Sequence, residues 1–326
     1  MNKLFRILGW IVLSLLVVVV GGLIYFVSSY PDVDPAEDIK IEVSADRLKR
    51  GEYLANHVAV CMDCHSSRDW GKYSGPLVAG TLGKGGEVFT EEMGGIPGTL
   101  YAKNITPAGV GEWTDGELLR AFTCGVSKDG RAYFPIMPYP GYNKMTKEDA
   151  YSIIAYLRSL EPIKNDVPDG SLNFPLNFIV RTIPKKSFPE NASPDSSDPE
   201  EYGKYLITIA GCFDCHTEQV KGEYQMEKSF AGGFKFKFPG GVLRSSNITP
   251  DNETGIGTWT ESQFINRFRN FSPDSGNIVN VKPDEFNTVM PWTMYAGMTE
   301  KDLASIYAYL RTVKPVKNNV ERWAKK

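Results

Sequence analysis

The apolar residues of this 326-residue chain follow three patterns, each predicting a different element. The first is continuous. Ile7 to Val27 is a run of 21 residues without a charge, long enough to cross a bilayer as one helix. The second has helical period. Ala150, Ile153, Ile154, Leu157 and Leu160 form an i, i+3, i+4, i+7 stripe, which Leu303, Ile306, Tyr307, Leu310 and Val313 repeat. Such a stripe predicts an amphipathic helix with one buried face, and core packing accounts for it. Each helix starts behind a threonine with an aspartate three residues on: Thr146 and Asp149, Thr299 and Asp302. The third pattern is a short apolar stretch, Leu172 to Val180, inside a Pro-rich polar segment from Asn165 to Ser197. It is too apolar for a free linker and predicts an extended strap packed on its neighbours.

The helical pattern occurs twice because most of the chain does. Gly51-Glu-Tyr-Leu and Gly203-Lys-Tyr-Leu match, in helices that Ser44 and Asp198-Pro199 are placed to start. Asn104-Ile-Thr-Pro107 matches Asn247-Ile-Thr-Pro250, and Trp113-Thr114 matches Trp259-Thr260. Thr114 with Glu117, and Thr260 with Gln263, are spaced as capping boxes. Gly-rich segments expected to be loops separate these elements.

The repeat carries its chemistry in Cys61-Met-Asp-Cys-His65 and Cys212-Phe-Asp-Cys-His216. C-x-x-C-H is the attachment signature of haem c, in which two thiols form thioethers and the histidine ligates iron. Cys61 with Cys64, and Cys212 with Cys215, are one helical turn apart, so their sulfurs lie along one edge of a bound macrocycle. A zinc site would need a further cysteine pair, and the only other cysteine is Cys124, expected to be buried and free. Two covalently bound haem c groups are expected, with His65 and His216 as proximal ligands.

For the sixth iron position each repeat offers a methionine before proline, Met137-Pro138 and Met290-Pro291. They follow their histidines by 72 and 74 residues. A residue before proline is pushed towards extended backbone, which suits a loop projecting a thioether. Met145 and Met298 also correspond, but each precedes a helix-capping threonine and is placed to staple against Ala150 or Leu303. The metal set expected is therefore His65, Met137, His216 and Met290. His57 has no counterpart in the second repeat, and a surface or propionate-contacting position is expected for it. Trp113, Tyr139, Trp259 and Trp292 are expected to line the pockets.

Charge places the chain without identifying it. The net charge is −3, which offers nothing to nucleic acid. Lys3 and Arg6 precede the apolar run and Asp32, Asp34, Glu37 and Asp38 follow it. The positive-inside rule then puts the N-terminus in the cytoplasm and the haem-bearing remainder in the periplasm. A cleaved signal peptide has a shorter apolar region and an A-x-A-like end, so an uncleaved single-pass anchor in the cytoplasmic membrane is expected.

Taken together, the C-x-x-C-H helix, the Asn-Ile-Thr-Pro segment, the Gly-x-Gly-x-Trp-Thr stretch, the Met-Pro-[Tyr/Trp] loop and the Ala-Tyr-Leu-Arg helix resemble the cytochrome c subunits of bacterial membrane-bound alcohol, aldehyde and gluconate dehydrogenases. Those motifs run through residues 46–318, and Asn173-Phe-Pro-Leu-Asn177 is similar to that family's first interdomain segment. The resemblance implies an all-α class I cytochrome c fold for each haem-bearing unit, giving two tandem domains behind the transmembrane helix expected from the apolar run. The corresponding divisions are 1–45 for anchor and tether, 46–165 for the first domain, 166–199 for the strap and 200–326 for the second domain. It also implies His65 with Met137 on one haem, and His216 with Met290 on the other. In two respects the chain departs from the family, which usually has three haem domains and a C-terminal membrane attachment.

Two closed His/Met irons imply an electron-transfer protein, with no catalytic residue of its own. Its redox partners would be a dehydrogenase or quinol-oxidising complex on one side and a terminal oxidase or another cytochrome on the other. A dihaem cytochrome c peroxidase is the enzyme alternative, and it needs one iron that can shed its distal ligand. A haem-based sensor or assembly protein is a third class, marked by a ligand-binding iron.

Overall fold

The computed structural model describes residues 3–91 and 96–326. The apolar run is one helix, α1 (Lys3–Ser29), none of whose side chains is buried. Its 27 residues make it about 40 Å long, more than the ~30 Å of a hydrocarbon core.

Beyond α1 and its tether, two halves of the chain repeat one arrangement. In the first, α2 (Ala45–Tyr53) is capped by Ser44, whose side chain accepts the Arg47 N–H. It leads to α3 (Cys61–Cys64), followed by α4 (Asp115–Cys124), the single turn α5 (Tyr139–Tyr142) and α6 (Lys147–Ser159). In the second half α7 (Pro199–Ile209), α8 (Cys212–His216), α9 (Glu261–Arg269), the turn α10 (Trp292–Tyr295) and α11 (Glu300–Thr312) follow the same order. Both capping boxes form, Thr114 with Glu117 on α4 and Thr260 with Gln263 on α9. Thr146 and Thr299 cap α6 and α11 by accepting the N–H of Asp149 and Asp302.

The core of each half is the crossing of its first and last helices. Ile153, Ile154 and Leu157 of α6 are buried, as are Leu303, Ile306 and Leu310 of α11, so the stripes face inwards. The crossings are closer than side chains allow. A Cβ on Gly51 would lie 1.9 Å from the Ser152 carbonyl oxygen, and one on Gly203 the same distance from that of Ser305. Glycine at this position in both repeats lets α2 pack backbone-to-backbone on α6, and α7 on α11.

The two segments that lead into the haem motifs differ in length by one residue. Gly51 stands ten residues before Cys61, whereas Gly203 stands nine before Cys212. The first half absorbs the extra residue in a single π turn, Leu54–Val58, closed by the Ala59 N–H donating to the Leu54 carbonyl at 2.8 Å. Both segments then bend through left-handed backbone, at Val60 (φ 45°) and at Gly211 (φ 67°).

The chain is not all-α. Besides a short hairpin of Gln219–Val220 with Glu223–Tyr224, segments expected as Gly-rich loops form two small three-stranded antiparallel sheets. β1 (Val88–Thr90) pairs with β2 (Gly98–Tyr101), and β2 with β3 (Ser171–Leu172). β4 (Lys235–Phe238) pairs with β5 (Gly241–Arg244), and β5 with β6 (Trp323–Lys325). In each sheet the third strand comes from the chain beyond the last helix of that half, a partner that no local pattern reveals. The strap also departs from expectation: after β3 it turns through short helical segments at Leu176–Ile179 and Val180–Thr182.

The halves meet across a seam of exchanged contacts. Tyr53 of α2 donates to Asp302 of α11 at 2.5 Å, and Tyr205 of α7 donates to Asp149 of α6 at the same distance. The two tyrosines are equivalent in the repeat and so are the two aspartates, so one interaction is made twice, in opposite directions.

Candidate haem sites

Each C-x-x-C-H motif forms one helical turn with its histidine at the end. His65 Nδ1 lies 2.6 Å from the carbonyl oxygen of Lys103, and His216 Nδ1 lies 2.7 Å from that of Ser246. A carbonyl can only accept, so Nδ1 carries the proton and Nε2 is left as a lone-pair donor, the form in which imidazole binds iron. Burial lowers both imidazole pKa values and favours that neutral form.

Those two carbonyls immediately precede Asn104 and Asn247, which explains the repeated Asn-Ile-Thr-Pro segment. Asn104 Oδ1 accepts the backbone N–H of Thr106 at 3.0 Å and its hydroxyl at 2.7 Å, while Nδ2 donates to the Ile163 carbonyl. Asn247 makes the same set with Thr249 and the Val316 carbonyl. The segment is a brace, and it holds in place the acceptor that orients each histidine. The motif was legible in the sequence; its task was not.

None of the five cysteines is paired in a disulfide. Burial pushes the Cys61, Cys212 and Cys215 thiols up to about 12, and raises Cys64 as well. Yet the surfaces of Cys61, Cys64 and Cys212 are only half-buried, and that of Cys215 is exposed. The motif thiols are thus crowded by protein yet keep an accessible face, as attachment to a cofactor requires. Cys124, by contrast, is fully packed beside Thr123, as expected of a buried free thiol.

The methionines divide in the same way. Met145 and Met298 are fully buried in the core, whereas Met137 and Met290 are only half-buried against it. After each of the latter pair the chain makes the same tight turn: the N–H of Tyr139 donates to the Met137 carbonyl at 2.7 Å, and that of Trp292 to the Met290 carbonyl at 2.8 Å. Each turn is tied back to the segment that leads into the haem motif of its own half. Tyr142 donates to the Ala59 carbonyl and Tyr295 to the Ala210 carbonyl, both at 2.7 Å, two residues before the first motif cysteine. The donor set fits a haem c in each half: paired thiols, an imidazole with Nε2 available and a thioether on a braced turn. Beside Met137, the buried Tyr139 hydroxyl has no hydrogen-bond partner among the described residues, so a polar group of a bound cofactor would meet it without competition.

Across the seam, the first half also grips the second Met-Pro loop. Ser74 is buried, in left-handed backbone at φ 66°. Its hydroxyl donates to the Met290 carbonyl at 2.6 Å and accepts the Trp292 N–H at 3.1 Å. Its own N–H donates to Asn287 Oδ1 at 2.9 Å. Arg68 holds the loop from behind, donating to the carbonyls of Ser74 and Gly75 while pairing at 2.9 Å with Asp63, which lies between Cys61 and Cys64. A chain of buried polar contacts thus joins the first attachment motif to the second Met-Pro loop. Nothing in the sequence pointed to Ser74 or Arg68.

His57 sits in the seam rather than on the surface. It occupies the π turn, with Nδ1 2.8 Å from the Met294 carbonyl. A cleft of about 780 Å³ also opens along the seam, lined by Phe213 and Asp214 together with Lys144, Lys204 and Lys314. Neither candidate iron histidine lines it.

Comparison with known proteins agrees with this chemistry. Residues 200–314 match the cytochrome c family model. The cytochrome c subunit of the quinone alcohol dehydrogenase of Gluconacetobacter polyoxogenes is 30% identical over 285 residues, covering 82% of this chain and 56% of that subunit. The fructose dehydrogenase cytochrome subunit of Gluconobacter japonicus is 25% identical, covering 86% and 55%. The gluconate 2-dehydrogenase cytochrome c subunit of Pantoea cypripedii is 30% identical, covering 68% and 51%. The chain spans a little over half the length of these relatives.

Proposed function

From its cytochrome c domain and its resemblance to the cytochrome c subunits of alcohol, fructose and gluconate dehydrogenases, we propose that this chain is a membrane-anchored dihaem relay, receiving electrons from a dehydrogenase or quinol-oxidising partner and passing them towards a terminal oxidase. One observation carries the reading. The braced carbonyl that orients the motif histidine is built twice, at Lys103 and at Ser246, so both halves are equipped to hold iron.

In this reading residues 46–165 and 200–326 are tandem cytochrome c domains. Cys61, Cys64, Cys212 and Cys215 would attach two haems, and His65 with Met137, and His216 with Met290, would hold their irons. Bound haem supplies reversible one-electron chemistry at iron. The protein's share is to hold both axial ligands still, which keeps reorganisation small, and to keep the irons dry. Thioether ligation raises the potential, which suits an acceptor for electrons leaving a dehydrogenase. α1 would hold the assembly on the outer face of the cytoplasmic membrane, with the N-terminus inside.

The peroxidase alternative gains no support. It needs one labile distal ligand, whereas the turn behind Met137 and the turn behind Met290 are closed by the same backbone hydrogen bond. Mass spectrometry of the denatured protein tests the count, with two haem additions expected. A reductive titration followed optically tests the role: two one-electron steps and no carbon monoxide complex are expected. A single haem addition, or carbon monoxide binding by the wild type, would overturn the reading.

A further inference from the structure

The strap between the halves is fastened on two sides. On one it belongs to the first half: β3 pairs with β2, the Asn173 N–H donates to the Pro97 carbonyl at 2.9 Å, and Val180 is buried. On the other it is joined to the outer end of α1. Arg181 donates to the Val27 carbonyl at 3.0 Å and also to that of Tyr30. The ring of Phe178 lies 6.2 Å from that of Phe26, which is itself 5.1 Å from Tyr30. The tether beyond is held too, since the Asp34 N–H donates to the Lys186 carbonyl at 2.8 Å.

Between these fastenings the strap presents apolar side chains that no other described residue covers. Phe174 is 80% exposed and Ile179 is 49% exposed. An aromatic ring and a branched aliphatic chain left bare are explained by their position. The strap that carries them adjoins Phe26 to Tyr30 through Phe178 and Arg181, where α1 ends, so a helix that spans a bilayer sets the strap at the level of the headgroups. Aromatic side chains favour that boundary, and the exposed Lys185 complements anionic headgroups there, while its neighbour Lys186 is paired with Asp32 at 3.6 Å.

We propose that Asn173–Thr182 is a second membrane contact, in which Phe174 and Ile179 enter the interface of the leaflet from which α1 emerges. The proposal rests on α1 as a membrane span. Its consequence is mechanical: a single helix leaves the first half free to swivel, whereas a helix and a strap side by side fix its tilt.

The test uses the full-length haem-loaded protein in phosphatidylethanolamine–phosphatidylglycerol vesicles, with a photoactivated carbene probe dissolved in the lipid and labelled residues located by mass spectrometry. Labelling is expected on α1 and on Phe174 and Ile179. In the double variant Phe174→Ser, Ile179→Ser, strap labelling should fall to the level of Val220, an exposed apolar residue of the second half, with α1 labelling and haem content unchanged. Labelled α1 beside a strap at the Val220 level would overturn the proposal and leave the anchor standing. Failure of both to label would overturn the anchor, and the proposal with it. Repeating the experiment in native membranes separates lipid from protein: a strap that loses its label there while α1 keeps it is covered by a protein partner, which also overturns the proposal.

Discussion

Ser74→Ala is the sharpest test of how the two halves depend on each other. The substitution removes one oxygen atom from a buried site and strands two backbone groups, the Met290 carbonyl and the Trp292 N–H. Both belong to the turn that presents Met290. Two lost hydrogen bonds, with their partners left dry, cost about 2–4 kcal/mol in total. Ser74→Gly loses the same hydroxyl, but glycine tolerates the positive φ that serine strains to adopt. It should therefore be about 0.5–1 kcal/mol less damaging than Ser74→Ala, a difference that separates backbone strain from the hydroxyl's own contribution. Equilibrium denaturation of the haem-loaded protein measures both. The functional readout is the weak absorption of the ferric iron–thioether bond, with the two potentials resolved by titration. Half of that absorption should weaken or shift, and one potential should move while the other stays. If Ser74→Ala leaves the absorption and both potentials unchanged and costs under about 0.5 kcal/mol, the hydroxyl does not hold the Met290 turn and the reasoning fails.

Met137→Ala and Met290→Ala should each remove one iron–thioether absorption and open one iron to carbon monoxide, the double variant removing both; a single variant that keeps the full absorption rules out that methionine. Met145→Ala and Met298→Ala should keep both absorptions yet cost about 2–5 kcal/mol, since both side chains are fully buried; calorimetry distinguishes the two pairs. Gly51→Ala and Gly203→Ala force a methyl group onto a carbonyl 1.9 Å away and should lower haem-loaded yield at growth temperature, measured against Gly22→Ala, where a Cβ meets nothing and the backbone is helical. Alkaline pH should loosen the seam. Burial first, and then Asp302 and Asp149, raise the pKa values of Tyr53 and Tyr205 in the folded state. A raised folded pKa contributes stability that is complete below the unfolded value of about 10 and is lost as pH climbs through the folded value. The Tyr53→Phe, Tyr205→Phe variant should be less stable at neutral pH but flatter above about pH 10, checked by denaturation midpoints across that range.

What the sequence by itself determined was mostly the helical features, whose partners lie close along the chain. The haem motifs, the caps at Thr114, Thr146, Thr260 and Thr299, the stripes of α6 and α11 and the apolar run of α1 are all read within a few residues, because one helical turn brings i and i+3 or i+4 together. The contrast between the two methionine pairs was legible for the same reason, since a stapling residue is defined by the cap beside it. Lys235-Phe-Lys-Phe238 with Pro239-Gly240 carried a local strand-and-turn signal as well, but its Gly-rich surroundings masked it. Tertiary structure decided the rest. β3 and β6 complete sheets whose hairpins lie far back in the chain, Tyr53 meets Asp302 across 249 positions, and Ser74 meets Met290 across 216. Even the use of Asn-Ile-Thr-Pro required the fold, which carries the Lys103 carbonyl 38 positions back to His65. A hydrogen bond of that kind leaves no periodic trace, because one side chain at one distance has no spacing to repeat; only a fold that has already buried the hydrophobic stripes decides which polar atoms are left to face each other.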